Sequence, residues 1–408
     1  MKDHKIDTIW TRDFIYLCLG SLLMAISFYI LIPTLPLYIV NVLKEPKSSV
    51  GITLASFTIA SLIIRLFAGF ALDAHGRKFI YITSFLLFCL IFGFYPFASS
   101  IVFLVIIRFI HGFTWGITGT AGSTVAVDLI PPKKRGEGIG FYGLSMTLAM
   151  SIGPMIGLFI CNDGNYTRMF ITATSIAIAG FFLITLIHFP KFNRPEKRKS
   201  LKLHTLIEKS SLPASLNTLI IMIPYGAIIS FITLYGREIG INNAGPFFMV
   251  FAIGIGLTRI YSGKIFDKSG PRTLSISGIL LLVLGFLILA TIRSYIGFHI
   301  SAIILGFGFG TLMPLSQAMV NSLVEAHQRG AANSTLFTAF DVGIGTGMIL
   351  IGFLADHIGL ANSYYVCSGI CLIALIHSLT FVLKHYHKEL NLKNGNSNNS
   401  ITEPLIDL

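Results

Sequence analysis

The sequence has very few charged side chains. Only 12% of its 408 residues are Asp, Glu, Lys or Arg, whereas 54% are hydrophobic. Water-soluble domains carry roughly 25% charged residues because their surfaces must be hydrated. This shortage of charge excludes an ordinary soluble protein of this length and predicts a chain whose surface is covered mainly by lipid.

The sequence also lacks the motifs of nucleotide hydrolysis and of common catalytic sites. It contains no Gly-x4-Gly-Lys-Ser/Thr loop and no HExxH, and its His, Asp and Arg residues follow no Ser-His-Asp or Cys-His pattern. We therefore expect neither an enzyme nor a cofactor or metal, although a membrane-embedded enzyme and a channel stay as alternatives. The five cysteines are odd in number and unpaired in spacing, which favours packing over a disulfide framework.

The positive charge lies between the apolar runs. The formal net charge is +12, and the basic residues lie mainly at the N-terminus, in even-numbered connections and in the linker 191–211. This distribution indicates membrane topology, with lipid and not nucleic acid as the partner. By the positive-inside rule both termini are cytoplasmic.

Twelve apolar runs reach the roughly 20 residues that a membrane-spanning helix needs. They begin near Phe14, Val50, Phe79, Ile101, Gly138, Met169, Leu212, Ala244, Thr273, Ile296, Ala331 and Ser363. The sequence predicts an all-α integral membrane protein with two six-helix bundles, 1–190 and 212–387. The tail 388–408 is rich in Asn and Ser and is predicted to be disordered.

The two bundles are copies of one unit. The stretch from Ile64 to Arg77 recurs in degenerate form 194 positions later, from Thr258 to Pro271. The same offset relates several further glycines, and the register holds without a gap for more than eighty residues. Six spans per copy predicts parallel repeats, an architecture typical of secondary transporters.

The loop after the second span, Gly69-x3-Asp73-x2-Gly76-Arg77-Lys78, resembles the signature loop of the major facilitator superfamily. The resemblance extends over the whole chain through the duplication and implies transport by alternating access. It also implies a charge cluster that latches the two halves in the outward-facing state. The alternative is a purely topological anchor. The gating candidates are Gly69, Asp73, Gly76, Arg77, Asp128, Asp267 and Arg272.

Span four carries Arg108-x2-His111-Gly112-x3-Gly116, which resembles a second motif of the superfamily, in which a buried arginine is tied to proton transfer. His111 stands where Gln is common. A buried arginine is expected to face a polar cavity or a partner. His111 either titrates or is a neutral, hydrogen-bonded side chain.

Span five carries Gly143, Gly153, Pro154 and Gly157, which resemble the motif that marks proton-coupled exporters in the superfamily. Leu158 replaces the usual second glycine. The residues suit a hinge in which proline removes a backbone bond and the glycines allow bending or close packing, or else they form a static kink.

Asp341 is the carboxylate placed deepest in any apolar run. A group of this kind must be protonated, paired or in contact with water. We predict that Asp341, together with Arg108 and His111, couples transport to protons. A structural hydrogen-bonding role is the alternative.

The superfamily resemblance implies a substrate cavity between the halves. Candidates by that analogy are Phe28, Tyr29, Trp115, Tyr225, Met313 and Gln317. Aromatic and Met side chains suit an amphipathic organic compound. We expect a monomeric drug:proton antiporter of the plasma membrane (the bacterial inner membrane), with a sugar or metabolite transporter as the alternative.

Overall fold

The computed structural model describes residues 8–131, 134–161, 164–189, 208–269, 271–324 and 329–399. Within these ranges the regular structure is entirely helical. The main helices are α1 Arg12–Asn41, α2 Lys47–His75, α3 Arg77–Phe92, α4 Ile101–Leu129, α5 Arg135–Ile160, α6 Tyr166–Thr185, α7 Leu212–Glu238, α8 Gly245–Ser269, α9 Pro271–Thr291, α10 Tyr295–Leu323, α11 Arg329–His377 and α12 Leu383–Asn399.

Most of these helices are apolar enough to cross a bilayer. Among the described residues, ten helical segments meet the length and hydropathy of a span, and Gly245–Thr258 is a shorter apolar helix. The longest segment, Ala332–Leu392, has 61 residues. At 1.5 Å per residue it would be about 90 Å long, which is three times the thickness of a bilayer core. It is divided at Gly359, whose φ of 79° interrupts α11.

At two glycines, a positive φ angle interrupts the helical backbone. Gly76 has φ 89° and forms the junction between α2 and α3, and Gly359 does the same inside α11. A side chain at either position would be strained, because Cβ crowds the backbone at positive φ. The prediction that Gly76 allows a tight turn is confirmed.

The chain separates into two compact units. The first contains α1 to α6 together with Ile228–Met249 and Met348–Leu360, and the second contains the remaining parts of α7, α8 and α11 with α9, α10 and α12. These boundaries run through α7, α8 and α11, whereas the sequence placed the boundary in the linker. Residues 191–207 of that linker lie outside the described part of the chain.

The duplicated register is visible in the packing of the glycines. A Cβ added to Gly112 of α4 would collide with the carbonyl oxygen of Phe57 in α2, so the two backbones are in direct contact. In the second unit, a Cβ at Gly306 of α10 would collide with the carbonyl oxygen of Phe251 in α8. Both partners are related by the same offset of 194 residues. Small residues are what permits such close approach of membrane helices.

Helix starts follow the same register. Ser100 caps α4 by accepting a hydrogen bond from the Phe103 amide, and Ser294 caps α10 by accepting one from Gly297. A serine at this position satisfies one of the free amide groups of the first turn.

The C-terminal end differs from the prediction. A π-helical turn, Ser378–Val382, joins α11 to α12, which continues to Asn399. The helix thus extends into the segment predicted as a disordered tail, because it continues a preceding apolar helix and needs no new nucleus. Residues 400–408 lie outside the described chain.

Candidate functional site

Arg108 lies in the interior of the first unit, surrounded by aromatic rings. Its side chain is 1% exposed. The guanidinium carbon lies 4.3 Å from the centre of the Phe57 ring and 5.5 Å from that of Phe28. Such contacts stabilise a cation by about 0.5–2 kcal/mol each. We call Phe28, Phe57, Tyr95, Arg108, His111 and Trp115 the Arg108 cluster.

Tyr95 contacts His111. The Tyr95 hydroxyl lies 2.9 Å from Nδ1 of His111. The hydroxyl donates to Nδ1 or accepts from it, according to which ring nitrogen of His111 carries the hydrogen. His111 is therefore a hydrogen-bonded side chain.

His111 is packed among aromatic rings. Its side chain is fully buried, and its ring centre lies 4.4 Å from that of Phe88 and 4.7 Å from that of Phe92. A role of His111 in proton coupling stays a prediction.

The charge on Arg108 is only partly compensated. None of the ion pairs among the described residues includes Arg108, and its Nε and Nη1 atoms have no hydrogen-bond partner there. A charged side chain at the centre of a membrane helix costs about 2.5–3.5 kcal/mol on the insertion scale.

Three predicted substrate residues join this cluster. The Phe28 ring lies 4.4 Å from Trp115, 5.2 Å from Tyr29 and 4.6 Å from Phe57. Phe28 is buried, whereas Tyr29 and Trp115 are partly exposed. The aromatic rings thus form a continuous layer from the accessible side of Trp115 to the arginine. The sequence placed these residues in two separate groups, and the structure brings them together.

The remaining candidates lie in the second unit. Tyr225 is buried against Phe309, with ring centres 5.0 Å apart, while Met313 is partly exposed and Gln317 is exposed one turn away on α10. Asp341 is half-buried on α11, about 18 Å along the helix from Arg329. Two residues further on, Gly343 packs against the backbone of α7 at Leu219.

Arg77 and Asp128 form the ion pair expected of the gating cluster. Nε of Arg77, the first residue of α3, lies 2.6 Å from Oδ2 of Asp128, in the last turn of α4. Arg272 is exposed, and none of the described ion pairs includes it. Gly69, Asp73 and Asp267 belong to helices, but their side-chain positions lie outside what the structure describes. A gating role for these residues stays a prediction.

Two of the four proposed hinge residues, Gly153 and Gly157, lie at close helix contacts, and a hinge role stays a prediction. A Cβ added at Gly153 would meet Tyr29, and one at Gly157 would meet the carbonyl of Ile30, so α5 lies directly against α1. Pro154 is inside α5, which continues through it. Gly143 faces open space and makes no such approach.

Sequence reasoning missed a polar cluster in the first unit, which we call the Asp356 clasp. The two Asp356 carboxylate oxygens accept hydrogen bonds of 2.9 Å from the amides of Lys47 and Ser48, the first residues of α2. The Lys47 ammonium group lies 2.5 Å from Glu238 at the end of α7. A carboxylate at a helix N-terminus is favourable for both hydrogen bonding and the helix dipole. These partners are some 190 to 310 residues apart, so no local pattern identifies them.

Tyr95 was also missed. It lies in a short 3-10 turn, Tyr95–Phe97. The sequence predicts only a connection between two spans at this place. Its only signal is the Phe-Tyr-Pro-Phe run, which has no spacing tied to Arg108 or His111.

Comparisons with known proteins identify the family to which this architecture belongs. The profile of the Major Facilitator Superfamily matches residues 17–268 and 214–406. The chain is 26% identical over 386 residues to the multidrug resistance protein MdtG of Escherichia coli O17:K52:H18, a match that covers 90% of this chain and 94% of the relative. It is also 26% identical over 381 residues to the MFS-type transporter MJ1560 of Methanocaldococcus jannaschii, covering 89% of this chain and 94% of that one.

Solved structures show the same fold. The nucleoside transporter NupG superposes with a TM-score of 0.71 at 14% identity, covering 90% of this chain and 98% of NupG. A bacterial homologue of the human lysosomal transporter Spinster, solved inward-facing and unoccupied, gives a TM-score of 0.73 at 15% identity, covering 92% and 97%. With two matching segments that together span almost the whole sequence, the chain belongs to the Major Facilitator Superfamily and is a multi-pass membrane transporter, not an enzyme.

Proposed function

We propose that this transporter exports a small organic compound across the bacterial inner membrane in exchange for protons, by alternating access. The observation that carries the proposal is the end-to-end similarity to a multidrug resistance protein, 26% identical over 386 residues. The Gly153-Pro154-x-x-Gly157 segment of α5, packed against α1, supports export because it resembles the motif of proton-coupled exporters.

The proposed topology has twelve spans in two parallel six-helix repeats, with both termini in the cytoplasm. The division of α11 at Gly359 supports it, because the segments on either side are each long enough for one crossing. The continuation of α8 to Ser269 supports a full span there. The distribution of Lys and Arg supports the orientation.

Asp341 is proposed to carry the coupled proton. It is a half-buried carboxyl group in the interior of an apolar helix, where the neutral form is favoured unless water or a partner stabilises the charge. A site that changes its exposure to water during the cycle would bind a proton on one side and release it on the other.

Uptake of a sugar or metabolite is the second candidate. It is favoured by Leu158, a buried side chain that occupies the place of the exporter motif's second glycine. Export and uptake differ in the direction of proton movement relative to that of the compound.

The test is transport in liposomes that contain a pH-sensitive dye. A pH gradient is imposed, and lipophilic cations, antibiotics and sugars are added in turn. Asp341→Asn is the test variant. Thr346→Val, which removes an exposed polar group from the same helix, is the matched control.

Compound-driven proton movement that is retained in Thr346→Val and lost in Asp341→Asn supports antiport coupled through Asp341. Proton movement in the same direction as the compound supports uptake instead. If no compound moves protons in the unmodified protein, proton exchange is wrong.

A further inference from the structure

Arg108 holds a permanent positive charge without a negative partner among the described side chains of the first unit. The guanidinium group cannot lose its proton in a protein, and it is 1% exposed. Its Nε and Nη1 atoms have neither a hydrogen-bond partner among the described residues nor access to solvent. Two charge-assisted donors are therefore available for an acceptor.

The carboxylates described in the first unit are all engaged elsewhere. Asp128 pairs with Arg77, Glu238 pairs with Lys47, and Asp356 caps α2. Asp13 accepts from His188, and Glu45 accepts from Ser49. Four of the five lie in a connection or near a helix end, and Asp356 lies close to Gly359, where α11 is interrupted. The interior of this unit therefore offers the arginine no described carboxylate.

Packing of the helices does not require the charge. In the second unit Ala302 occupies the position that corresponds to Arg108, and it is fully buried. The contact of Gly306 with Phe251 there repeats the contact of Gly112 with Phe57. The same helix pair thus forms with a methyl group where the first copy has a guanidinium group.

The aromatic layer of the Arg108 cluster leads from the arginine to an accessible surface. The Phe28 ring lies 5.5 Å from the guanidinium carbon of Arg108 and 4.4 Å from the Trp115 ring, with the two ring planes tilted by 32°. Trp115 and Tyr29 are partly exposed. A shift of the Phe28 ring would open the arginine to a ligand that lies along this layer.

We propose that Arg108 binds the acidic group of an amphipathic organic anion, whose apolar part lies against Trp115 and Phe28. This inference rests on the proposed function and names its substrate class: organic acids that carry a carboxylate or a comparable oxyanion. The fork of guanidinium N–H groups matches the two oxygens of such a group. The rings supply the apolar contact that fixes the rest of the molecule.

Binding is tested by the fluorescence of Trp115. The chain has two tryptophans, and Trp10→Phe leaves Trp115 as the sole reporter. This protein, purified in detergent, is titrated with 3-phenylpropanoate and with its neutral amide, which have the same apolar part. We expect saturable changes in Trp115 emission, with the acid binding at least tenfold more tightly than the amide.

Two further variants in the same background test the arginine. Arg108→Gln removes the charge and is expected to weaken binding of the acid at least tenfold while binding of the amide is unchanged, which also shows that the variant is folded. Arg108→Lys keeps the charge but not the fork, and is expected to keep a smaller preference for the acid. Equal dissociation constants for acid and amide, no saturable binding of the acid, or an acid affinity that survives Arg108→Gln would each overturn the proposal.

The outcomes separate this inference from the proposed function. Proton-coupled transport of neutral or cationic compounds, without preference for the acid, leaves antiport standing and removes the anion site. Saturable binding of the acid at Arg108, without proton movement in liposomes, keeps the site and removes proton exchange.

Discussion

The helix pair α2–α4 in the first repeat and the pair α8–α10 in the second have the same framework and different chemistry. Glycine-to-backbone contacts occur at corresponding positions, with Gly112 on Phe57 and Gly306 on Phe251. The polar side chains do not correspond, since Arg108 and His111 are replaced by Ala302 and Leu305. Close packing is thus a property of the duplicated unit, while the buried charge was placed in one copy only.

The second repeat has its own ionisable group, the half-buried Asp341. Asp341 corresponds to Thr147 in the first repeat, so each copy holds an ionisable group that the other lacks at the corresponding position. Under the two proposals made above, Arg108 in the first repeat would bind the organic anion and Asp341 in the second would carry the proton. Substitutions at corresponding positions of the two repeats test this division of roles.

The largest effect is expected from moving the charge between repeats. Ala302→Arg should lower the free energy of unfolding by about 3 kcal/mol, because Ala302 is fully buried and a charge in the interior of a membrane helix is costly. The reciprocal change, Arg108→Ala, should raise thermal stability while abolishing transport. Thermal unfolding in detergent measures both.

Trp115→Phe is the control for Arg108→Ala, because it alters the same cluster without touching its charge. If Arg108→Ala proved less stable than the unmodified protein by several kcal/mol, the arginine would be structural and the framework of the two repeats would not be equivalent.

The next largest effect on stability is expected from adding one methyl group at the corresponding glycine of each repeat. Gly112→Ala and Gly306→Ala should each cost about 1–3 kcal/mol, since a Cβ at either position collides with a backbone carbonyl that cannot move independently. The two losses should agree within about 1 kcal/mol in the same unfolding assay. Gly143→Ala, where the structure has open space, is the matched control and should be neutral.

These glycines also show how much the sequence could predict. The offset of 194 residues predicted the repeat and the pairing of Gly112 with Gly306, because close packing of membrane helices requires small residues at fixed helical spacing. The approximate helix positions followed from hydropathy. The ion pair between Arg77 and Asp128 followed from their common position near one end of adjacent helices.

What the sequence did not predict depends on contacts between distant segments. Tyr95 is hydrogen-bonded to His111 from a short turn, and Asp356 caps a helix 308 to 309 residues earlier in the chain. Neither contact has a local spacing or a periodicity. They follow only from the way the helices pack, which the period of hydrophobic residues does not specify.

The Asp356 clasp should have a smaller effect than the glycines. Asp356→Ala removes two hydrogen bonds to the first amides of α2 and should cost about 1 kcal/mol, the usual value of a helix cap. The clasp has no counterpart in the duplication, because Ile241 stands at the position of Lys47. Its loss should also make the N-terminus of α2 more accessible.

Hydrogen exchange at Lys47 and Ser48 measures that accessibility. Asp356→Asn keeps one acceptor oxygen and should retain about half of the protection. Exchange at these amides that is the same in Asp356→Ala and in the unmodified protein would contradict a capping role.

The smallest effect is expected from the ion pair at the junction of α3 and α4. The Arg77 and Asp128 side chains are 27% and 23% exposed, and a pair with that much contact with solvent contributes about 0.2–1 kcal/mol. Pro271 and Ser322 hold the corresponding positions in the second repeat, where no ion pair can form. A double-mutant cycle with Arg77→Gln and Asp128→Asn should give a coupling energy in that range. The coupling energy should decrease as salt is added, because the charges are partly screened.

Transport measurements then decide whether the Arg77–Asp128 pair has a gating role or is only a topological anchor. If the pair latches one conformation, its loss should change the rate of the transport cycle far more than it changes the stability. A variant with normal transport and a coupling energy near zero would leave the asymmetry between the repeats at this position without functional consequence.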